Sequence, residues 1–297
     1  MTITSLKILA LNCMLVDHIG QFIPNTPEYF RWIGRLSAPI FIFCMVWGLA
    51  YTKNRRKYMS RMYICSLIMG IINVFLESLR YPEYRIALSN NIFSTLFLIG
   101  IIIILIEQVR EDKHIGTKKL IVFSVFQILT TILIIILVDV MNILSFISID
   151  VARGTLATVM GNVVFCEGSI FWVALGVGLY FVKANRKSLS TYYGLFWIIY
   201  SLCFSLGLAP RVITRLQYWG FRGLSEVLRI SGQLVGIDTV FGWNITCNWM
   251  MIGSLPFILL YNGKKGSGFK YFFYLFYPLH IWILYILGNF ILKYKVF

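Results

Sequence analysis

Acidic residues are scarce in this chain. Its 297 residues include 12 Asp and Glu against 27 Lys and Arg, and charged residues of both signs make up only 13%. The resulting formal charge of +15 raises the question of a nucleic-acid partner. The basic residues, however, cluster in short loops between apolar stretches, which is a pattern typical of membrane topology. We therefore expect no nucleic-acid partner.

The signatures of several enzyme classes are also missing. The sequence has no Walker-type glycine-rich loop, no zinc-ligand spacing and no Gly-x-Ser-x-Gly elbow. Its six cysteines lie within apolar segments and show no paired spacing, which argues against a disulfide or metal framework. We expect no metal. The start of the chain lacks a basic region followed by a small-residue cleavage site, so the first apolar segment is expected to be retained.

Long apolar stretches are what the chain has instead. Hydrophobic residues make up 59% of it, the mean hydropathy is +0.78, and apolar runs near 20 residues recur. Nearly continuous runs such as Leu98–Leu105 exclude the alternation of a β-barrel. The sequence therefore predicts an all-α polytopic membrane protein, with residues 1–297 in a single domain because no linker interrupts them. We expect about 9–11 transmembrane helices in one bundle, with candidate spans at about 3–24, 31–52, 60–78, 90–108, 119–140, 166–183, 191–209, 234–261 and 270–292.

Four basic loops set the predicted orientation. With these spans, the loops 53–61, 109–119, 183–187 and 262–270 all lie on one side. The positive-inside rule makes that side cytoplasmic. The chain is thus expected in the cell membrane with its N-terminus on the cytoplasmic side. One region opposes the trend, because four arginines fall on the predicted outer side. Either the count of spans is off by one or these residues bind something anionic: Arg211, Arg215, Arg222 and Arg229.

The first apolar segment carries ionisable residues. Lys7, Asp17 and His18 lie inside a run otherwise apolar enough to span a bilayer. Because such side chains are costly in hydrocarbon, they indicate a functional site. On an α-helix, Lys7 and His18 share one face and lie about 16 Å apart along the axis. One face therefore links a cation near one surface to an imidazole deeper in the membrane.

Other polar residues are predicted at the level of His18. Arg35 lies near the start of the second span, and Asn90 and Asn91 open the fourth. A histidine, a carboxylate, a guanidinium and an amide at one level suit a base, its orienting partner and oxyanion donors. The alternative is a structural polar network in which Arg35 satisfies the charge of Asp17.

The last span and a later acidic residue add candidates for a cavity. Tyr277 and His280 are i, i+3 neighbours, and the intervening Pro278 frees backbone groups that a polar cavity satisfies. This favours a position lined by water or substrate, although a hydrogen bond from His280 to a neighbouring helix would explain it equally. Asp150 precedes a glycine-containing break near the same outer level.

The loop 53–61 is rich in arginine. Arg55, Arg56 and Arg61 lie within a stretch of seven residues. Guanidinium groups bind phosphate through paired hydrogen bonds, so the loop suits a phosphorylated ligand. Topology and anionic lipid headgroups are the alternative explanation.

Motifs from the first helix to the last resemble the TraX family. The resemblance implies acetylation of the amino terminus of the conjugative pilin subunit, with acetyl-CoA as donor. The motifs that carry it, in chain order, are Leu6-Lys7 with Asp17-His18-Ile19-Gly20, Ile33-Gly34-Arg35-Leu36-Ser37-Ala38-Pro39-Ile40-Phe41, residues 52–61, Asn91-Ile92-Phe93-Ser94-Thr95-Leu96 and Phe276-Tyr277-Pro278-Leu279-His280.

The chain also resembles a wider group, the transmembrane acyltransferases of the acyltransferase-3 and heparan-α-glucosaminide acetyltransferase type. That group has an Arg, ten residues and then the catalytic His on the first helix, and a Tyr-x-x-His near the chain end. Here Lys7 stands at the Arg position, His18 follows after ten residues, and Tyr277 and His280 match the second pattern.

The leading hypothesis is a membrane acyltransferase that moves an acetyl group from cytoplasmic acetyl-CoA to an amine or hydroxyl acceptor on the outer side. The acceptor is a peptide, a glycan or a lipid headgroup. His18 would be the base, Asp17 would orient it, and Arg35 and Asn91 would stabilise the oxyanion. Lys7, Arg55, Arg56 and Arg61 would hold CoA. The alternatives are a proton-coupled transporter or flippase and a non-catalytic envelope assembly factor.

Overall fold

The computed structural model describes residues 1–84, 86–234 and 247–294. Within these ranges all regular structure is helical and no strand is present, which confirms the predicted all-α class. The helices are α1 Ile3–Phe22, α2 Tyr29–Gly34, α3 Ser37–Tyr51, α4 Arg55–Ser78, α5 Ile92–Glu111, α6 Lys113–Ile135, α7 Ile149–Met160, α8 Ser169–Val182, α9 Arg186–Phe204, α10 Leu208–Tyr218, α11 Arg222–Leu234, α12 Ser254–Leu259 and α13 Lys270–Lys293. A π-helical turn, Ile136–Val140, extends α6, and a 3₁₀ helix, Cys247–Gly253, precedes α12.

Six helical segments in the described ranges are long and apolar enough to cross a membrane: α1, α2 with α3, α4, α5, α6 with its π turn, and α13. The bent pair α9 and α10 would make a seventh. This number is smaller than the predicted nine to eleven. One reason is that α8 has 14 residues and is only about 21 Å long, short of a bilayer core. Another is that the predicted span 234–261 lies partly outside the described residues. The chain is a multi-pass membrane protein.

The four basic loops and the N-terminus meet at one end of the bundle. The backbone N–H groups of Ile3 and Thr4 donate to the carbonyls of Lys264 and Lys265, at 3.0 and 3.1 Å. Arg186, at the start of α9, donates to the Tyr261 carbonyl at 3.4 Å. The loop 53–61 joins the end of α5 through an ion pair of Arg55 with Glu107. The loop 109–119 joins the end of α8 through Arg110, whose Cζ atom lies 4.4 Å from the centre of the Phe181 ring. We call this the basic end, and the other the opposite end.

Close packing of α1 against its neighbours fixes the polar end of that helix. A Cβ atom at Gly34 would lie 2.1 Å from the Cβ atom of Asp17, so α2 reaches α1 only because residue 34 has no side chain. On the other side, α13 packs along α1, and the Tyr84 hydroxyl donates to the Phe22 carbonyl at 2.8 Å. These contacts hold the last turns of α1, with Asp17 and His18, in the interior of the bundle.

Candidate functional site

A cavity of about 140 Å³ lies near the last turns of α1, toward the opposite end. Its walls come from α1, the α2–α3 junction, the start of α5, the segment before α8, the end of α9, the 3₁₀ helix and α13. The polar side chains that line it are those of Asp17, His18, Gln21, Arg31, Arg35, Ser37, Asn90, Glu167, Tyr200, Asn248 and Tyr277. Residues that are distant in the sequence thus meet at the level predicted for His18.

Two histidines form the centre of the site. The Nδ1 atom of His18 lies 2.7 Å from the Nε2 atom of His280, and both residues are buried. The Nδ1 atom of His280 lies 2.7 Å from the carbonyl oxygen of Phe276. A carbonyl only accepts, so His280 is protonated at Nδ1 and its Nε2 accepts from His18. Among neutral tautomers, this network assigns the proton of His18 to Nδ1 and leaves a lone pair on its Nε2.

The lone pair of His18 faces the amide of Asn90. The Nδ2 atom of Asn90 lies 3.5 Å from the Nε2 atom of His18. The Asn90 Oδ1 atom accepts from Gln21 at 3.1 Å, and its backbone carbonyl accepts from Asn73 at 3.0 Å. Asn90 is therefore held on both sides, and its amide N–H group is directed to the imidazole. The site places an unprotonated ring nitrogen beside a fixed donor.

Asp17 binds two arginines and does not contact His18. Its Oδ1 atom lies 2.9 Å from Arg31 and 3.5 Å from Arg35. The structure does not show the predicted contact through which Asp17 would orient His18, because consecutive helical residues point about 100° apart. His280 takes the orienting position instead. Arg35 also donates to the Oδ1 atom of Asn248 at 3.3 Å.

A half-buried carboxylate organises the start of α5. The Oε2 atom of Glu167 accepts the backbone N–H of Asn91 at 2.6 Å and the hydroxyl of Tyr277 at 3.4 Å. The Tyr277 oxygen in turn accepts the backbone N–H of Ile92 at 3.0 Å. The first N–H groups of a helix have no internal partner, so Glu167 and Tyr277 satisfy the start of α5. They thereby position Asn90, which precedes that helix.

Two predicted site residues lie outside the cavity. The Asn91 side chain donates to the Ser66 carbonyl at 2.9 Å and to Thr158 at 3.2 Å, so it points away from His18. Its neighbour Asn90 occupies the predicted position. Asp150 is exposed in the first turn of α7, which packs against α4 and α6 rather than around the cavity. Neither residue contributes to the site in the way that the sequence predicted.

The four residues predicted to hold CoA all lie toward the basic end. Arg55 is paired with Glu107, whose carboxylate also accepts from the Tyr180 hydroxyl, so its guanidinium has a partner within the chain and its role as a phosphate ligand stays a prediction. Arg56 is exposed, and Lys7 is half-buried with its Nζ atom 5.4 Å from the centre of the Phe273 ring. The Nε atom of Arg61 is buried without a hydrogen-bond partner in the described part of the chain.

Sequence reasoning missed Arg31 and Gln21. The Nη1 atom of Arg31 donates to Gln21 at 3.2 Å and to the Asp17 carbonyl at 3.1 Å. A signal was present, since Arg31 precedes Arg35 by four residues and Gln21 follows Asp17 by four, which puts each pair on one helical face. Glu167 was visible as an acidic residue beside an apolar segment, but nothing local tied it to α5.

In the described ranges, no group of three or more His, Cys, Asp or Glu side chains is placed to hold a metal ion. All six cysteines are free thiols.

Known proteins resemble this chain along most of its length. The family described as TraX protein matches residues 3–206. A curated protein of Dichelobacter nodosus, "Probable fimbrial assembly protein FimC, serogroup H1", is 23% identical over 292 residues. That alignment covers 94% of this chain and 92% of the relative. No solved structure matches.

Proposed function

Because the chain belongs to the TraX protein family, we propose that it is a membrane acyltransferase that moves an acetyl group from acetyl-CoA to an amine or hydroxyl acceptor. Among the possible acceptors, we favour the amino terminus of a pilin or of another envelope peptide. Two observations support this choice. Pilin acetylation is the activity that the TraX resemblance implies, and the relative from Dichelobacter nodosus is named a probable fimbrial assembly protein.

The paired histidines are the observation that carries the proposal. His18 has its Nδ1–H group committed to His280 and its Nε2 lone pair beside the cavity. A general base needs one nitrogen oriented and the other open to the acceptor; the contact of Nε2 with the Asn90 amide is long, at 3.5 Å, and the acceptor would displace it. In the better-known arrangement a carboxylate orients the base, whereas here a second imidazole, fixed by the Phe276 carbonyl, has that role.

The proposed reaction follows from these positions. His18 Nε2 takes the proton of the acceptor amine or hydroxyl while the acceptor atom attacks the thioester carbonyl carbon. The resulting oxyanion lies near the Asn90 amide and the Arg31 and Arg35 guanidinium groups, which supply donors and positive charge. As the carbon–sulfur bond breaks, the proton passes from His18 to the CoA thiolate. Asp17 keeps the two arginines in place and neutralises part of their charge.

Because the cavity is small, we place the acetyl group and the nucleotide of the donor at different positions. A volume of about 140 Å³ holds an acetyl group and the reacting end of an acceptor, but not a nucleotide. We place the phosphates at the basic end, near Arg56, Arg61 and Lys7. Lys7 and His18 are 11 residues apart on α1, which corresponds to about 16 Å. The extended pantetheine arm would cover this distance. The positive-inside rule puts the basic end in the cytoplasm.

The test is acetyl-CoA-dependent release of CoA by the purified chain in nanodiscs. The acceptor is a peptide mixture with every amino acid at its free amino terminus, and acetylated peptides are identified by mass spectrometry. We expect the wild type to release CoA in proportion to acetylated peptide. The double variant Arg56→Gln, Arg61→Gln should need at least about ten-fold more acetyl-CoA for half-maximal rate, because charge-assisted contacts to phosphate are lost.

Lys57→Gln is the matched control, since Lys57 is an exposed cation in the same first turns of α4 with no proposed role. Its half-saturating concentration should stay close to that of the wild type. Binding of acetyl-CoA without acetylated product, for peptides and for a hydroxyl-bearing glycan alike, would favour a non-catalytic assembly role. Equal acetyl-CoA dependence in the double variant and the wild type would assign the two arginines to topology.

A further inference from the structure

The helices α10 and α11 form a hairpin that the proposed reaction does not use. Residues 208–234 contain four arginines and one glutamate, on the side of the bundle where positive charge is unusual. The two helices pack on each other, and of the bundle helices α10 contacts α9. We refer to residues 208–234 as the arginine hairpin. Its helices have 11 and 13 residues, or about 16 and 20 Å, so neither spans a bilayer.

Both helices of the arginine hairpin are strongly amphipathic. On α11, Leu224, Val227 and Leu228 form one exposed apolar face. Arg222, Glu226 and Arg229 follow one another at spacings of four and three on another face, where Arg229 is paired with Glu226. Apolar side chains are also exposed on α10 and at the turn between the helices: Leu208, Val212, Tyr218, Trp219 and Phe221.

The placement of the hairpin fits a membrane surface. The axis of α10 is bent by 59° from that of α9, a 19-residue apolar helix that begins at the basic end. The bent pair could form one broken span; the arrangement that we favour has α9 in the membrane and α10 turned toward the plane of the bilayer. Tyr200 on α9 and Asn248 in the 3₁₀ helix both line the cavity, and these two helices are the described elements before and after the hairpin. The hairpin therefore lies in the chain between two elements of the candidate site.

We propose that the arginine hairpin lies in the membrane interface at the opposite end and binds anionic phospholipid headgroups. Its apolar face enters the boundary between headgroups and acyl chains, as aromatic and leucine-rich faces of interfacial helices do. Its net charge of +3, from four arginines and one glutamate, complements lipid phosphates. The net positive charge favours an anionic surface over a zwitterionic one, because a zwitterionic headgroup carries no net charge to attract it.

The experiment measures amide hydrogen exchange of residues 208–234 in the full-length protein. Nanodiscs of phosphatidylcholine alone are compared with nanodiscs containing phosphatidylglycerol. We expect slower exchange with phosphatidylglycerol. The variant Arg215→Gln, Arg222→Gln should lose most of this difference, because each removed charge weakens association roughly five-fold. A second variant, Leu224→Glu with Val227→Glu, should speed exchange in both lipids.

The control is Lys113→Gln with Lys118→Gln, which removes two exposed charges at the basic end. It should keep the lipid-dependent difference in the hairpin. Release of CoA on addition of acetyl-CoA and peptide, or a monodisperse elution profile, shows that each variant is folded. Equal exchange of residues 208–234 in the two lipids for the wild type would overturn the proposal. So would unchanged exchange in the glutamate variant, which would mean that the apolar face is covered by something other than lipid.

Discussion

Replacing His18 with alanine should lower the rate of acetyl transfer by about 10²–10⁴-fold, the usual contribution of a positioned general base. The variant loses the Nε2 lone pair at the cavity and the hydrogen bond to His280, which is 2.7 Å long in the wild type. Acetyl-CoA should still bind, because its phosphates are proposed to lie at the basic end. The measurement is the rate of CoA release with the peptide mixture, together with acetyl-CoA affinity by calorimetry.

His114→Ala is the matched control for this experiment. His114 is an exposed residue at the start of α6, at the basic end. Its loss should leave the transfer rate close to that of the wild type. If purified His18→Ala transferred acetyl groups nearly as fast as the wild type, His18 would not be the base. The paired histidines would then be a structural contact between α1 and α13.

Gly288→Ala should impair both stability and transfer, although alanine is the better helix former. A Cβ atom at position 288 would lie 2.0 Å from the Phe22 carbonyl oxygen and 2.7 Å from the Tyr84 hydroxyl. A backbone atom cannot turn aside, so α13 must move away from α1, and His280 must move from His18 with it. Overpacking of this kind costs about 1–3 kcal/mol, and a displacement near 1 Å at a reacting group costs about 10²-fold in rate.

Gly194→Ala provides the comparison, because Gly194 also lies inside a helix and a Cβ atom at that position would meet no other atom within 4 Å. That variant should be neutral or stabilised by up to about 1 kcal/mol, as expected for alanine in place of glycine in a helix. Thermal midpoints in detergent and rates of CoA release give both quantities. A Gly288→Ala protein as stable and active as Gly194→Ala would show that α1 and α13 are not packed as described.

The sequence was sufficient for the helical class and for the level of the site. Apolar runs near 20 residues are typical of transmembrane helices. Ionisable residues within such runs indicate a functional site, because burying a charged side chain in the membrane is costly. The same reasoning predicted that His18 and Arg35 lie at one level, and both line the cavity. Positive charge in four loops predicted a common end, and backbone hydrogen bonds between the N-terminus and residues 264–265 agree with it.

The sequence alone could not show which side chains contact one another within the site. His18 and His280 are separated by 262 positions, and no local periodicity reports which helices pack together. The same limit applies at short range, where the structure places Asn90 beside His18 and not the predicted Asn91. Asn90 and Asn91 precede α5 in non-helical backbone, where their side chains point in different directions: Asn91 to Ser66 and Asn90 to His18. Arg55 was assigned to phosphate because its partner Glu107, 52 positions away, was not identifiable from local spacing.

The central claim is that the chain carries an acetyl group from a donor at the basic end to an acceptor at the His18 cavity. Sealed proteoliposomes with labelled acetyl-CoA inside and the membrane-impermeant peptide mixture outside test it directly. Molecules with the basic end inward should place labelled acetyl on the external peptides, and vesicles that contain His18→Ala should not. Absence of labelled peptide from vesicles that hold folded wild-type protein and intact acetyl-CoA would contradict the account.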